Sequence, residues 1–297
     1  MQRFTTTLCA IALTLSVAGQ SALGAETDRP AVKEFNYRTS FTYSFGSKYG
    51  GSTESVPPGE TVLIPDISVH AWSFGGGVTV PLGNSFGGHA FLIGGKAYSQ
   101  LEYTELGANQ IANFDFGKVE VGSTAFWRDP DRGFLELGYS YFNILDVSHR
   151  HSLLSAAGLY VNSIDFTIGF QYGSDSTTSA DPRRERNLYA LYGAATWYFS
   201  NHVAVRAGLG WEKSSTPSIS EAESESIDGG AEILWQPTLG PQRHRYLTLN
   251  LALGGGRTEY QIPGFPDPSL NFVEVFVGLT FDHTDADSLL ELFREYR

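Results

Sequence analysis

Four groups of residues in this 297-residue chain carry side chains that could do chemistry. His149 and His151 stand two apart, so on an extended strand they share a face and could hold Zn²⁺ or Cu²⁺, but no third ligand lies near them in the sequence. His151 and Ser152 are adjacent, which on a strand sends them to opposite faces and excludes them as a base and its nucleophile. The run FWRDPDRG (126–133) gathers Arg128, Asp129, Asp131 and Arg132 around Pro130. Proline at the second position of a type I turn, with glycine at the exit, makes this a charged turn and not an acid–base cluster. The fourth group is dispersed: Arg38, Lys96, Glu102, Lys118, Glu120, Glu136, Asp165, Arg206, Glu212, Asp228, Glu232 and Glu274. Its members sit opposite rows of apolar residues, so the elements that carry them decide what they do.

Those elements are strands. In EFNYRTSFTYSFGS (34–47) Phe35, Tyr37, Phe41, Tyr43 and Phe45 sit on odd positions, with Thr39 breaking the row, and the even ones are polar apart from Gly46. A period of two means one apolar face and one wet face. Similar rows follow almost without pause: Trp72 to Val80, Phe91 to Tyr103, Val119 to Trp127, Leu135 to Tyr141, His151 to Val161 and Ile164 to Tyr172. Then come Tyr189 to Phe199, Val203 to Trp211, Ile227 to Trp235, Leu247 to Leu253 and Val273 to Phe281. About twelve segments result, each near the 9–11 residues that cross a bilayer at a tilt. The fold class is all-β, a closed antiparallel transmembrane barrel spanning residues 35–281.

Connector lengths alternate. Short ones fall at 81–88, 129–133, 162–163, 200–201 and 237–245, and mostly longer, polar ones at 47–65, 105–113, 146–150, 173–186, 214–226 and 260–268. Short turns at one end and long loops at the other are the habit of outer-membrane barrels. Trp127, Trp197, Phe199, Trp235 and Phe281 all fall near the short-turn end, where an interfacial aromatic girdle belongs.

The ends of the chain agree. Arg3, an apolar run to Val17 and the small residues around Gly24 read as a secretory signal peptide over 1–24, followed by a short periplasmic lead over 25–34. Its Cys9 is the only cysteine, so the mature chain has no disulfide, thiol nucleophile or thiolate metal site. The net charge of −12 argues against nucleic acid as a partner. After residue 24 no window reaches the roughly 20 apolar residues of a spanning helix.

TWYFSNHVAVRAGLGW (196–211), with its aromatic strand end and short turn, resembles the hairpins of porin-like and opacity-type outer-membrane barrels of Gram-negative bacteria, and FWRDPDRG resembles a turn of an uncharacterised subgroup. The resemblance implies an outer-membrane location, contact with outer-membrane lipids, and handling by the barrel-assembly machinery during biogenesis. It does not imply an activity, because such barrels host pores, adhesins and enzymes. The chain departs from it in continuing past Phe281 into a tail, DHTDADSLLELFREYR (282–297).

Function then follows from the dispersed charges. In a membrane barrel they face the lumen, eight carboxylates against four bases. Rings of Asp and Glu favour cations, and many lumenal positions are glycine, which leaves room. The expectation is a porin-like protein without enzymatic activity, cofactor or metal. It is a narrow passive pore for small solutes or cations, or else a structural barrel. A surface-loop binding or adhesion protein is the alternative, and a lipid-modifying enzyme the third reading. In the tail, Ser288 to Glu291 forms a capping box ahead of Leu289, Leu290, Leu292, Phe293 and Tyr296 at helical spacing. So short a helix needs a host for its apolar face. The barrel's own periplasmic mouth is the nearest.

Overall fold

The computed structural model describes residues 30–49, 66–105, 108–145, 148–177, 186–216, 222–237, 246–261, 269–284 and 286–296. The signal-peptide reading, the first residues of the lead and most of the longer loops lie outside them. Twelve strands run β1 (Asn36–Tyr49), β2 (Asp66–Pro81), β3 (Phe86–Glu105), β4 (Ala108–Asp129), β5 (Gly133–Ile144) and β6 (Ser148–Val161). They continue as β7 (Ile164–Thr177), β8 (Arg186–Ser200), β9 (Val203–Thr216), β10 (Ala222–Trp235), β11 (Tyr246–Gln261) and β12 (Ser269–His283). Each pairs antiparallel with its neighbours in sequence, and β1 pairs with β12, closing the barrel. Closure leaves no edge in the wall and satisfies the backbone internally.

Residues paired across a ladder share a face, so a few exposed side chains orient the whole wall. Phe41 pairs with Phe74 on one side and with Leu279 on the other. Phe41, Phe74, Leu137, Leu153, Phe166, Leu209, Ile233, Leu251 and Val277 are all exposed on the outer surface. The outside of this barrel is a continuous apolar band, the inverse of a soluble protein's surface. The short connections are tight turns. Asn162 takes φ 53 in the two-residue link before β7, and Gly133 takes φ 154 where an added Cβ would stand 2.0 Å from the Gly158 carbonyl oxygen. No side chain fits there.

Two expectations from the sequence are corrected. The strands are 12 to 22 residues long, not 9–11, because the polar stretches read as loops at 105–113, 173–186 and 214–226 continue the ladders over 108–113, 173–177, 214–216 and 222–226. Beyond lipid, pairing needs no apolar face. The second correction is β3. Lys96 pairs with outward Trp72, and Phe91 with inward Gly77, so the whole strand shows the opposite face to the one its period suggested. Phe91, Leu92 and Ile93 are consecutive, so the apolar pattern there fits either face, and the register with β2 decides.

A terminal helix, α1, begins at Leu289–Glu291 and widens into a π-helical turn over Leu292–Tyr296. Ser288 caps it: its hydroxyl accepts from the Glu291 N–H at 3.1 Å, while the Glu291 carboxylate accepts from the Asp287 N–H at 2.7 Å. Leu289, Leu292 and Tyr296 are fully buried against Tyr198, Ala204, Leu234 and Ala286. This apolar core therefore sits inside the short-turn mouth.

Candidate functional site: the plugged lumen

The helix enters the mouth with a second piece of chain beside it. Ala31 and Val32, before β1, are buried, and the Lys33 N–H donates to the Glu295 carbonyl at 3.0 Å. Size explains why so little chain closes the opening. Twelve strands about 4.8 Å apart and tilted about 40° enclose a backbone cylinder roughly 24 Å across. Wall side chains take about 5 Å on each side, leaving a bore close to the 10–12 Å width of one helix.

Among the described residues three ion pairs organise the interior. Arg294 on α1 reaches Asp165 on β7 at 2.6 Å, and its fork also donates to the Asn162 carbonyl at 2.8 Å. Both side chains are buried, and Tyr198 donates its hydroxyl to the other Asp165 oxygen at 2.8 Å. Such a pair, desolvated but fully hydrogen-bonded, fixes orientation more than it adds stability. Arg150 grips Asp175 through two bonds, 2.6 and 3.0 Å, nearer the loop end. Arg206 touches Glu232 at 3.5 Å and donates to Thr196 at 3.0 Å. Lys33 and Glu291 make a fourth, exposed pair at 2.9 Å on the outer side of the plug, and this bond holds the Lys33 ammonium above its usual pKa.

Of the dispersed charges, Arg38, Lys118, Glu120, Glu136, Asp165, Arg206, Glu212, Asp228, Glu232 and Glu274 point inward. Lys96 does not. It lies on the outer wall, paired with Asp115 at 2.5 Å and 4.9 Å above the Tyr98 ring. Glu102 is on the same strand, with its side chain outside the described residues. Arg128, read from sequence as part of a turn, instead turns inward and is buried, donating to the carbonyls of Ala31 and Arg294. His89 also faces in, linked to Arg38 and Thr79 at 3.0 Å each. A flipped β3 hid it.

Two cavities share Arg206 as a wall. One, of about 260 Å³, lies directly on the plug, with Phe293 of α1 beneath it and Arg38, Thr124 and Glu136 around it. The other, of about 360 Å³, is bounded by Asp228, Glu232 and Glu274. Glycine makes the second one. Asp228 pairs with Gly210 and Gly256, and Glu274 with Gly254 and Gly46, so each carboxylate stands among residues without side chains. A Cβ at Gly210 would fall 2.6 Å from an Asp228 oxygen. Asp228 and Glu274 make no ion pair among the described residues, so the second cavity carries surplus negative charge.

On the outside, Trp197, Phe199, Trp235 and Phe281 are exposed near the short-turn end, with the Trp197 and Phe199 rings stacked at 4.4 Å. Trp127 differs: it pairs with outward Phe86 but is itself only 7% exposed. A second belt, of tyrosines and histidines, went unread in the sequence. Tyr43 bonds His70 at 2.8 Å, Tyr139 bonds His151 at 2.5 Å, and Ser176 bonds His149 at 2.6 Å. Its signal was present, since Tyr and His cluster at the loop ends of the outward rows. His151 is exposed on this belt and Ser152 is buried on the opposite side, so they form no dyad. Among the described residues no three His, Asp or Glu groups are placed to hold a metal.

No family model matches this chain, and no curated relative matches its sequence. Its fold is similar to that of an outer-membrane channel from Pseudomonas putida F1, with TM-score 0.58 and 10% identity over 87% of this chain and 98% of that one. The translocator domain of autotransporter NalP from Neisseria meningitidis follows at TM-score 0.50 and 10% identity, over 93% and 96%. The outer membrane protease OmpT from Escherichia coli reaches only 0.36 at 9% identity, over 87% and 99%, too loose to weigh. At such identities the likeness is one of fold: this chain is a closed twelve-stranded barrel of the kind found in outer-membrane channels and translocators.

Proposed function

We propose that this protein is a porin-like barrel of the outer membrane, a narrow passive conduit that prefers cations and is throttled by its own termini. The observation that carries the reading is the glycine-lined cavity of about 360 Å³, where Asp228 and Glu274 make no ion pair among the described residues. Carboxylates lining a confined aqueous path lower the energy of a passing cation and raise that of an anion. The apolar outer band and its two polar-tipped aromatic belts support the membrane location. The reading needs no cofactor.

Reversal potential in planar bilayers under a salt gradient tests this. The wild-type protein should reverse on the cation side, and Asp228→Asn with Glu274→Gln should move the value toward zero. A conducting barrel with an unchanged reversal potential would remove both residues from the path.

A further inference from the structure

We infer that the chamber on top of the plug is a binding site for a small organic anion, a carboxylate carried on a flat apolar body. Charge points that way first. Arg38 and Arg206 line the chamber, and Arg128 lies buried in its wall. The lining holds three guanidinium groups, of Arg38, Arg128 and Arg206, against two carboxylates, of Glu136 and Asp165. The Arg206 side chain spends one bond on Thr196 and one long contact on Glu232, so most of its fork remains for a ligand. A planar fork suits a carboxylate, which accepts two parallel bonds from it.

The second observation is an orphaned hydroxyl. Thr124 Oγ1 is buried, lines this chamber, and has no hydrogen-bond partner, although the residue is only 9% exposed. Buried hydroxyls are seldom left so. A carboxylate oxygen in the chamber would accept its proton.

The third is the lining. Phe126, Phe134, Tyr160 and Phe293 bring aromatic surface to a cavity of about 260 Å³. Drug-sized sites run from about 300 to 1,000 Å³, so the occupant is smaller than those, of the order of a single ring with its acid group. Phe293 belongs to the plug, which makes the tail part of the site as well as the stopper. The inference does not depend on cation conduction. An anion held here would neutralise Arg206 at the boundary of the two cavities and would not itself need to cross the acidic one.

Benzoate, benzylamine and benzyl alcohol share a ring and differ in charge, so calorimetric titration of each into refolded full-length protein tests the assignment. Saturable binding of benzoate, at least tenfold tighter than benzylamine or benzyl alcohol, is expected. Arg206→Gln should weaken benzoate about tenfold or more, as loss of a charge-assisted pair does. Thr124→Val, which keeps the shape and removes the hydroxyl, should weaken it several-fold. Lys118→Gln, lumenal but outside the chamber, should leave it unchanged. Each variant is first checked for the wild-type shift in gel mobility on heating. Equal binding of benzoate and benzylamine, undiminished binding by a folded Arg206→Gln barrel, or no saturable benzoate binding at all would overturn the site. The reversal potential could then still be cationic, so this failure would be distinct from failure of the conduit.

Discussion

The short-turn end and the middle of the same lumen are built by opposite rules. At the mouth large side chains are packed together: Leu289, Leu292 and Tyr296 pack on Tyr198 and Leu234, and Arg294 is locked to Asp165. A few strand residues higher, glycines replace side chains, and Asp228 and Glu274 make no ion pair among the described residues. One end is a protein core, and the other is a hole with charge on its wall. The difference teaches where a barrel of this size keeps its options. Twelve strands leave a bore that one helix can fill and that nothing fills unless the sequence supplies it. On the proposed reading, closure is a property of the tail and selectivity a property of the wall. The two can be broken separately.

Deleting residues 284–297 should have the largest effect. The ladder of β12 ends at His283 and Phe281 keeps its place, so the barrel should still assemble and shift on heated gels. Its single-channel conductance should rise several-fold over that of the full chain.

Breaking the anchor comes next. Arg294→Ala strands Asp165 without its partner in a buried site, which typically costs about 3–5 kcal/mol. That is enough to undock the plug part of the time, seen as open bursts in single-channel records and as faster proteolysis of the tail. Asp165→Asn with Arg294→Met should be milder than Arg294→Ala alone, because no buried charge is left unpaired.

A glycine substitution sharpens the other half of the comparison. At Gly254 a Cβ would lie 3.5 Å from the nearest atom, the Gly229 carbonyl oxygen, so Gly254→Leu should fold and project into the acidic cavity. It should reduce the conductance of the tail-deleted barrel. Gly94 pairs with outward Phe74 and has nothing within 4 Å, so Gly94→Leu adds a methylene stem to the lipid face and should leave conductance alone.

The smallest effect belongs to Lys33 and Glu291, whose exposed pair is worth at most about 1 kcal/mol. Because the bond raises the Lys33 pKa above 10.5, its contribution is complete at lower pH and is lost as pH climbs through the raised value. Lys33→Ala should therefore alter tail proteolysis slightly at neutral pH and not at all in strongly alkaline buffer.

Much of this was legible in the sequence, for a physical reason. Where one face meets lipid and the other meets water, a period of two is written into every strand, as in β1, β7, β10 and β12. It failed in β3, whose apolar run Phe91-Leu92-Ile93 fits either face, and with it failed the placement of Lys96 and the lumenal role of His89. The helix was legible from Ser288 and Glu291, since capping is local. The partner of Arg294 was not. Spacing put that arginine at the end of a helix dipole, while the fold brings it to Asp165, 129 residues away. Arg128 was hidden the same way, its turn readable and its inward reach not. Long-range pairing of charge inside a barrel depends on shear and register, which no single strand encodes.

The most direct test of the account is the reversal potential and single-channel conductance of the barrel lacking residues 284–297, measured in planar bilayers under a potassium chloride gradient. Conductance well above that of the full chain, with reversal on the cation side that moves toward zero in Asp228→Asn with Glu274→Gln, is the predicted result. A folded, tail-free barrel that conducts no better than the full chain, or that reverses on the anion side, would contradict it.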